Sequence, residues 1–169
     1  LDSVSFLGCG SWGGALGNVL SRKGIPVLFW HRNPIIVDQL QKTGKHYLVE
    51  DLLFLKNVSF TNDIKYAINA SSIIVLAIPS QSIRQLLVEN SNIFEDEKII
   101  VNISKGIEVD SLMTLSEVIN DVYGQNHKRT VVLSGPSHAE EVVKRFPTTL
   151  VAASRNEEIS KTIQKLFSN

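Results

Sequence analysis

Short apolar runs alternate with amphipathic segments along almost the whole chain. Apolar runs that end at a glycine, a proline or a polar pair are typical of buried strands. They predict strands over residues 4–7, 27–30, 73–78, 98–103, 130–133 and 149–153, with residues 58–60 as a further candidate. Apolar residues spaced three or four apart predict helices over residues 12–23, 63–70, 81–88, 111–122, 138–144 and 156–167, and another that opens at Asn33-Pro34.

This alternation favours an α/β fold of the Rossmann type, in which a doubly wound and mostly parallel sheet carries helices on both faces. The fully apolar run at residues 73–78 suits a central strand that is covered on both sides. A chain of 169 residues has the size of one domain, so residues 1–169 are interpreted as a single domain. Residues 43–62 show no clear period, and the pattern leaves most of them unassigned.

Charge and composition argue against several classes of protein. Lys and Arg number 17, as do Asp and Glu, and the resulting net charge of zero argues against a nucleic-acid partner. Cys9 is the single cysteine, so no internal disulfide forms and the reducing cytoplasm is the expected location. No apolar stretch approaches the roughly 18 residues of a membrane span, and no metal site is predicted.

The first predicted strand runs directly into a glycine-rich segment, here called the glycine turn (residues 8–13), with the sequence Gly8-Cys9-Gly10-Ser11-Trp12-Gly13. It matches the G-x-G-x-x-G fingerprint of dinucleotide-binding proteins. The first glycine permits a tight turn, the second lets the backbone approach a pyrophosphate, and the third lets the helix pack on the strand. A chance glycine-rich loop is the alternative, but the strand before the turn and the helix and second strand after it favour cofactor binding.

The end of the second predicted strand indicates which dinucleotide is bound. An acidic residue there would bind the ribose hydroxyls of NAD, whereas this chain has His31-Arg32-Asn33. The guanidinium of Arg32 suits the 2′-phosphate of NADP, and His31 would assist. The sequence therefore predicts NADP as the preferred cofactor, with NAD also accepted. The alternative is that Arg32 only caps a surface loop.

Three later strand ends carry further candidates: Ala77-Ile78-Pro79-Ser80, Ser104-Lys105-Gly106 and Ser134-Gly135-Pro136-Ser137. If the strands are parallel, these ends share one edge of the sheet with the glycine turn, and ligands bind at that edge in open α/β sheets. Lys105 is the only basic residue at the three ends. Beside a nicotinamide it would bind a phosphate or polarise a carbonyl; the alternative is a solvated lysine in a turn.

With these motifs the sequence resembles the N-terminal part of the bacterial NAD(P)-dependent glycerol-3-phosphate dehydrogenases. The resemblance spans the whole chain and rests on residues 8–16, 31–32, 77–80, 104–108, 133–142 and 147–149. The segments around Lys105 and Ser137 are more specific than the glycine turn, because related dehydrogenases share the turn but not these segments.

The resemblance implies that the whole enzyme interconverts sn-glycerol 3-phosphate and dihydroxyacetone phosphate with NAD(P)H, for glycerophospholipid synthesis. By matching position, the cofactor would contact Gly8, Gly10, Ser11, Trp12, Gly13, His31, Arg32, Tyr47, Pro79, Lys105 and Ala139. The substrate would contact Lys105, Gly135 and Ser137. His138 is interpreted as a packing residue and not as a catalytic base.

Members of the resembled family are about twice as long, and their second, helical domain supplies a further lysine, taken as the acid/base residue. The resemblance therefore implies that the chain by itself is inactive. A homodimer of the full-length enzyme is left open. Two other function classes stay open as well: the same domain of a related hydroxy-acid dehydrogenase, and a nucleotide-binding module without chemistry. The substrate loop at residues 134–137 argues against the module.

Overall fold

The computed structural model describes residues 3–94, 97–124 and 128–168. Within these ranges, seven strands form one sheet: β1 (Val4–Leu7), β2 (Val27–Trp30), β3 (Val58–Thr61), β4 (Ile73–Leu76), β5 (Ile99–Asn102), β6 (Thr130–Ser134) and β7 (Val151–Ala153). Their order is β3-β2-β1-β4-β5-β6-β7. Strands β1 to β6 are parallel, and β7 pairs with β6 in the antiparallel direction. This arrangement confirms the predicted Rossmann-type fold with a mostly parallel sheet.

Strand β1 lies near the centre of the sheet and is fully buried. It pairs with β2 on one side and with β4 on the other. Because successive side chains of a strand point to opposite faces, Phe6 joins the core on one face and Leu7 joins the core on the other. The strand order reverses between β1 and β4, and the crevice outside the carboxyl ends at such a reversal is where ligands bind in open α/β sheets.

Helices cover both faces of the sheet: α1 (Ser11–Arg22), α2 (Pro34–Thr43), α3 (Ile64–Asn69), α4 (Ile83–Glu89), α5 (Leu115–Tyr123), α6 (Ala139–Val143) and α7 (Glu157–Phe167). Buried residues of α1, α2 and α7 belong to the core on one face. Those of α3, α4 and α5 belong to the core on the other face, and α6 packs against α1. None of the helices in the described ranges is both long and apolar enough to cross a membrane.

Strand β7 differs from the others in direction. The sequence predicts a strand over residues 149–153, and the structure forms one at Val151–Ala153, antiparallel to β6. Between β6 and β7 the chain forms α6, which packs on α1. The carboxyl ends of β1, β4, β5 and β6 still share one edge, as the sequence predicts.

Helix α5 begins four residues later than the periodicity predicts. Thr114 and Glu117 form a capping box in which the Thr114 N–H donates to Oε2 of Glu117 at 2.7 Å. Leu112 falls within the helix predicted over residues 111–122, but it is 73% exposed and has a φ of 57°, so including it in the helix is wrong. Leu112 has the spacing of a helical core residue, but the cap starts the helix after it.

Helix α1 approaches β2 very closely at Gly17. A Cβ atom at Gly17 would lie 2.3 Å from Cζ of Phe29. The Phe29 ring is fully buried and packs with its centroid 5.0 Å from that of Phe6 and 5.3 Å from that of Phe54. Because protein cores contain little free volume, the ring has no space into which it can retreat.

We expect Gly17→Ala to lower the free energy of unfolding by about 1 kcal/mol. Extra atoms in a filled core displace buried side chains and cost about 1–3 kcal/mol, and the better helix propensity of alanine offsets about 1 kcal/mol of this. Urea unfolding followed by circular dichroism measures the change. Phe29→Leu removes the ring atom that the new Cβ would meet, so Gly17→Ala costs less in that background than in the unchanged chain. A G17A chain as stable as the unchanged chain would contradict the close packing.

Candidate functional site

The glycine turn joins β1 to α1 and packs against the residue that follows β4. Gly8 has a φ of 115°, and a Cβ there would lie 2.3 Å from the carbonyl oxygen of Ala77. A Cβ at Gly13 would lie 2.8 Å from Cβ of Ala77. At Gly10, nothing in the described chain lies within 4 Å of where a Cβ would stand. The first and third glycines therefore permit close packing, and the second leaves the backbone open.

Helix α1 begins directly behind this open backbone. Gly10 is its N-cap, and among the described residues no side chain caps it by a hydrogen bond. The N–H groups of a first helical turn have no partner within the helix, and the helix dipole places a partial positive charge there. The indole N–H of Trp12, in the same turn, is buried and has no hydrogen-bond partner in the described chain. This helix end is therefore suited to an anionic group.

A cavity of about 480 Å³ opens over the glycine turn and the segments that follow β4, β5 and β6. It brings together candidates from four separate parts of the sequence: Gly10, Ser11, Trp12, Gly13, Pro79, Lys105, Ser137 and Ala139. Gly8 is buried and does not line it. Gly135 lines a second cavity of about 400 Å³, and Ser104 and Lys105 border both cavities.

Lys105 joins three of these segments. Its Nζ donates a hydrogen bond to the carbonyl oxygen of Ser137 at 3.1 Å. The same Nζ lies 5.3 Å from the centroid of the Trp12 ring, which is a cation–π contact. The side chain thus connects the loop after β5 with the loop after β6 and with the first turn of α1. These contacts keep the ammonium group at the border of the two cavities.

Charged side chains anchor the loop that follows Lys105 to α4. Nε of Arg84 donates to Oε1 of Glu108 at 2.9 Å, and Nη2 of Arg84 donates to Oε2 at 2.9 Å. Arg84 also pairs with Asp121 of α5. The hydrogen bonds from Arg84 hold the pKa of Glu108 below its usual value, and the two carboxylates raise the pKa of Arg84. The bidentate geometry fixes the orientation of both side chains.

Gln81 fixes the same loop from the turn before α4. Its amide nitrogen donates to the carbonyl oxygen of Ile107 at 2.7 Å, and its amide oxygen accepts from the N–H of Val109 at 3.0 Å. The loop is therefore held by backbone contacts as well as by the charged pair. Lys105 lies immediately before this anchored segment.

The residues at the end of β2 form a second group of candidates, and they lie beside the glycine turn. The Gly8 N–H donates a hydrogen bond to the Trp30 carbonyl oxygen and so links the turn to β2. Nδ1 of His31 accepts from the Asn33 N–H at 3.1 Å, and Nε2 lies 3.2 Å from the hydroxyl oxygen of Tyr47. Burial lowers the pKa of His31, so the ring is neutral at pH 7. Arg32 is exposed next to it. His31, Arg32 and Tyr47 do not line the 480 Å³ cavity.

The family described as NAD-dependent glycerol-3-phosphate dehydrogenase N-terminus matches residues 3–160. The chain belongs to this family. It is 39% identical over 172 residues to a glycerol-3-phosphate dehydrogenase [NAD(P)+] of Staphylococcus haemolyticus, covering 100% of this chain and 52% of that protein. It is 41% identical over 168 residues to the enzyme of that name in Clostridium perfringens, covering 99% and 50%. The chain thus spans about half the length of these relatives.

Solved structures agree with this assignment. The crystal structure of glycerol-3-phosphate dehydrogenase from Coxiella burnetii superposes with a TM-score of 0.92 at 28% identity, covering 99% of this chain and 51% of that one. A prephenate dehydrogenase from Aquifex aeolicus reaches a TM-score of 0.70 at 16% identity, covering 99% and 58%, and shares the fold alone. The dehydrogenase fold is therefore common to both, whereas the family match distinguishes them.

Two histidines of this family member were missed or misjudged from the sequence. His46 is buried beneath the glycine turn, with its Nε2 3.1 Å from the Cys9 carbonyl oxygen. A single histidine in an aperiodic segment gives no sequence signal for such a contact. His138, expected to pack, is exposed and lines the cavity, because it is the N-cap residue of α6.

The Cys9 thiol is fully buried, and burial raises its pKa, so it is not a nucleophile of the site.

We expect Glu108→Gln to lower the free energy of unfolding at pH 7, because glutamine cannot form the charged pair with Arg84. Since the pKa of Glu108 is lowered in the folded chain, its contribution is complete above the unfolded-state value of about 4.3 and is lost as the pH falls through the folded value. The difference between variant and unchanged chain in urea unfolding therefore shrinks between pH 7 and pH 3.

Glu50→Gln is the control for this series, since Glu50 is exposed and has no ion pair in the part of the chain described. It leaves the free energy of unfolding nearly unchanged across the same pH range. If the difference in unfolding free energy between Glu108→Gln and the unchanged chain stays constant with pH, the ionised pair is not the cause of that difference.

Proposed function

We propose that residues 1–169 form the NAD(P)-binding domain of an enzyme that interconverts sn-glycerol 3-phosphate and dihydroxyacetone phosphate, for glycerophospholipid synthesis. The observation that carries this proposal is the 480 Å³ cavity, which the uncapped N-terminus of α1 and the ammonium group of Lys105 both border. Membership of the glycerol-3-phosphate dehydrogenase family selects this reaction over that of a hydroxy-acid dehydrogenase or of a module without chemistry.

The glycine turn fits the pyrophosphate of a dinucleotide. Gly10 leaves open the space that any side chain would fill, and the N–H groups of Ser11 and Trp12 begin the uncapped helix. Gly8 and Gly13 let the turn pack closely against the residue that follows β4, and this packing keeps the open backbone at Gly10 in position. These five residues are therefore assigned to the phosphates of the cofactor.

The rest of the cavity fits the nicotinamide half. Pro79 and Ala139 line it together with the glycine turn and Lys105. When it is bound, the nicotinamide supplies or accepts the hydride. The protein contributes a partly apolar wall and one cation at the end of that wall. We therefore assign Pro79, Ala139 and Lys105 to this half of the cofactor.

The end of β2 is assigned to the adenosine half, with NADP preferred and NAD accepted. Arg32 is exposed there and carries five N–H donors that match a 2′-phosphate. No acidic residue lies at residues 31–33 to bind the ribose hydroxyls of NAD. His31 and Tyr47 form a hydrogen-bonded pair beside Arg32 and would complete this part of the site.

Lys105 is assigned as the catalytic residue of this domain because it borders both cavities. Its ammonium group would donate to an oxygen of the substrate and stabilise negative charge that develops there. Gly135 and Ser137 are assigned to the same substrate. The acid/base lysine is assigned to the half of the relatives that this chain does not span.

Two further expectations stay predictions: a cytoplasmic location, inferred from the single cysteine, and a homodimer of the full-length enzyme.

We expect the chain to bind NADPH more tightly than NADH, and Arg32→Ala to remove this preference. Losing hydrogen bonds to a charged group weakens binding by about 1.5–3 kcal/mol, or roughly 10- to 100-fold in Kd for NADPH, while the Kd for NADH changes little. Isothermal titration calorimetry with both cofactors measures the effect. Lys165→Ala, which removes an exposed cation in the last turn of α7, is the control. Equal affinities of the unchanged chain for both cofactors would contradict the assignment.

We expect these 169 residues alone to bind NADPH yet to reduce dihydroxyacetone phosphate negligibly, because the acid/base lysine is assigned to the half of the relatives that this chain does not span. Loss of NADPH absorbance reports turnover, with the full-length enzyme as the positive control. In the full-length enzyme, Lys105→Met lowers kcat/KM by about 100-fold or more, the usual effect of removing one electrostatic contact in a transition state. Appreciable turnover by the 169 residues, or full activity of the variant, would overturn these assignments.

A further inference from the structure

The irregular segment between α2 and β3 contains a strap, residues 44–54, that is closed on itself and attached to the glycine turn. The Phe54 N–H donates to the Gly44 carbonyl oxygen at 2.8 Å, and the His46 N–H donates to the Leu52 carbonyl oxygen at 2.9 Å. Leu52 is fully buried and anchors the strap in the core. The described hydrogen bonds attach the strap to the glycine turn through one side chain, that of His46.

The hydrogen bonds of His46 require one neutral form of its ring. Nδ1 accepts from the N–H of Leu48 at 3.0 Å and from the N–H of Val49 at 3.1 Å. The ring proton therefore lies on Nε2, which donates to the Cys9 carbonyl oxygen at 3.1 Å. A proton added at Nδ1 would point at two N–H groups. The cationic ring is thus incompatible with the observed strap.

The same ring reaches both halves of the proposed cofactor site. It lies against the start of α1, where a Cβ at Gly14 would be 2.7 Å from its Nε2. The ring of Tyr47 also stacks on it, with centroids 5.0 Å apart. Tyr47 in turn bonds His31 at 3.2 Å. One imidazole therefore connects the backbone that faces the phosphates with the pair of rings at the end of β2.

We propose that His46 is a positioning residue of the dinucleotide site. As a neutral imidazole it holds the glycine turn and Tyr47 in one arrangement, and its protonation releases both, so that dinucleotide affinity falls in mildly acid solution. This inference rests on the proposed dinucleotide binding. It assigns no contact between His46 and the cofactor, since the residue acts through the Cys9 carbonyl group and through Tyr47.

The surroundings of His46 offer no compensation for a positive charge. Titratable groups that face it are Cys9 of the glycine turn, Tyr47 of the strap and His31 of the β2 end. Burial raises the pKa of Cys9 and Tyr47, so both stay neutral, and nearby His31 opposes a second cation. In the described chain no hydrogen bond or ion pair joins a carboxylate to His46; Glu50 on the strap is exposed.

The direction of the pH effect follows from this burial. Burial is the main cause that lowers the pKa of His46, so the ring is neutral at pH 7 and takes up a proton only in more acid solution. Binding then requires the loss of that proton, and the limiting slope is a tenfold rise in Kd for each pH unit below the pKa of His46. Above neutral pH the affinity is constant.

Calorimetric titration of the chain with NAD⁺ from pH 8 to pH 5 tests the proposal. NAD⁺ is the probe because it lacks the 2′-phosphate of NADP, whose own titration near pH 6 would confuse the result. His46→Gln places an amide nitrogen where Nε2 donates to Cys9 and cannot be protonated. His46→Asn places an oxygen where Nδ1 accepts from the strap, and loses the bond to Cys9. The two variants therefore separate the two functions of the ring.

We expect His46→Gln to bind within about threefold of the unchanged chain at pH 8 and to lose the acid rise in Kd. We expect His46→Asn to bind about tenfold more weakly at every pH, the loss of one buried hydrogen bond at the turn. In His31→Gln the residue His46 is still present, so we expect the Kd to rise in acid solution with the same slope as in the unchanged chain. Unfolding free energies measured at each pH report stability separately from affinity.

Three results would overturn the proposal. In the first, His46→Gln retains the acid rise in Kd. In the second, His46→Asn binds as well as the unchanged chain although its unfolding free energy is altered, which would make the histidine merely structural. In the third, His31→Gln abolishes the rise. If the unchanged chain does not bind NAD⁺ or NADPH even at pH 8, the proposed function fails instead.

Discussion

The close approach of the glycine turn to the end of β4 is the constraint on which the rest of the site depends. Gly8 adopts a positive φ and leaves no room for a Cβ beside the Ala77 carbonyl oxygen, and Gly13 meets Ala77 from the helix side. Only glycine satisfies both conditions without displacing backbone. Because of this contact, α1 starts at the carboxyl edge of the sheet, and its free N–H groups face the same space as the ends of β4 and β5.

Polar side chains then hold that edge together. Lys105 bonds the loop after β6 and covers Trp12, while Arg84 and Gln81 anchor the segment that follows it. The Arg84–Glu108 pair is partly buried, with side chains 32% and 12% exposed. The effect of these contacts is geometric, because bidentate and backbone contacts leave each loop few alternatives. A cation is thereby kept between two cavities, against the ring of Trp12.

The strap contacts the same edge of the sheet without lining the cavity. His46 contributes no surface to the 480 Å³ cavity, yet it contacts the carbonyl group of the turn, the start of α1 and Tyr47. In the proposed dinucleotide site, such a residue acts through the conformation of the backbone. This distinguishes it from Arg32, which is exposed and is proposed to act by its own charge.

The sequence by itself determined the class of fold, the position of the glycine turn and the group of strand ends that meet at one edge. These follow from local rules: apolar periodicity fixes strands and helices, and parallel strands place their carboxyl ends together. Only the tertiary structure decided the direction of β7, the start of α5 after Leu112 and the contacts of His46. Each of these depends on packing or hydrogen bonds that a residue's spacing along the chain does not encode. The Cys9–His46 contact joins residues 37 positions apart, which no periodicity relates.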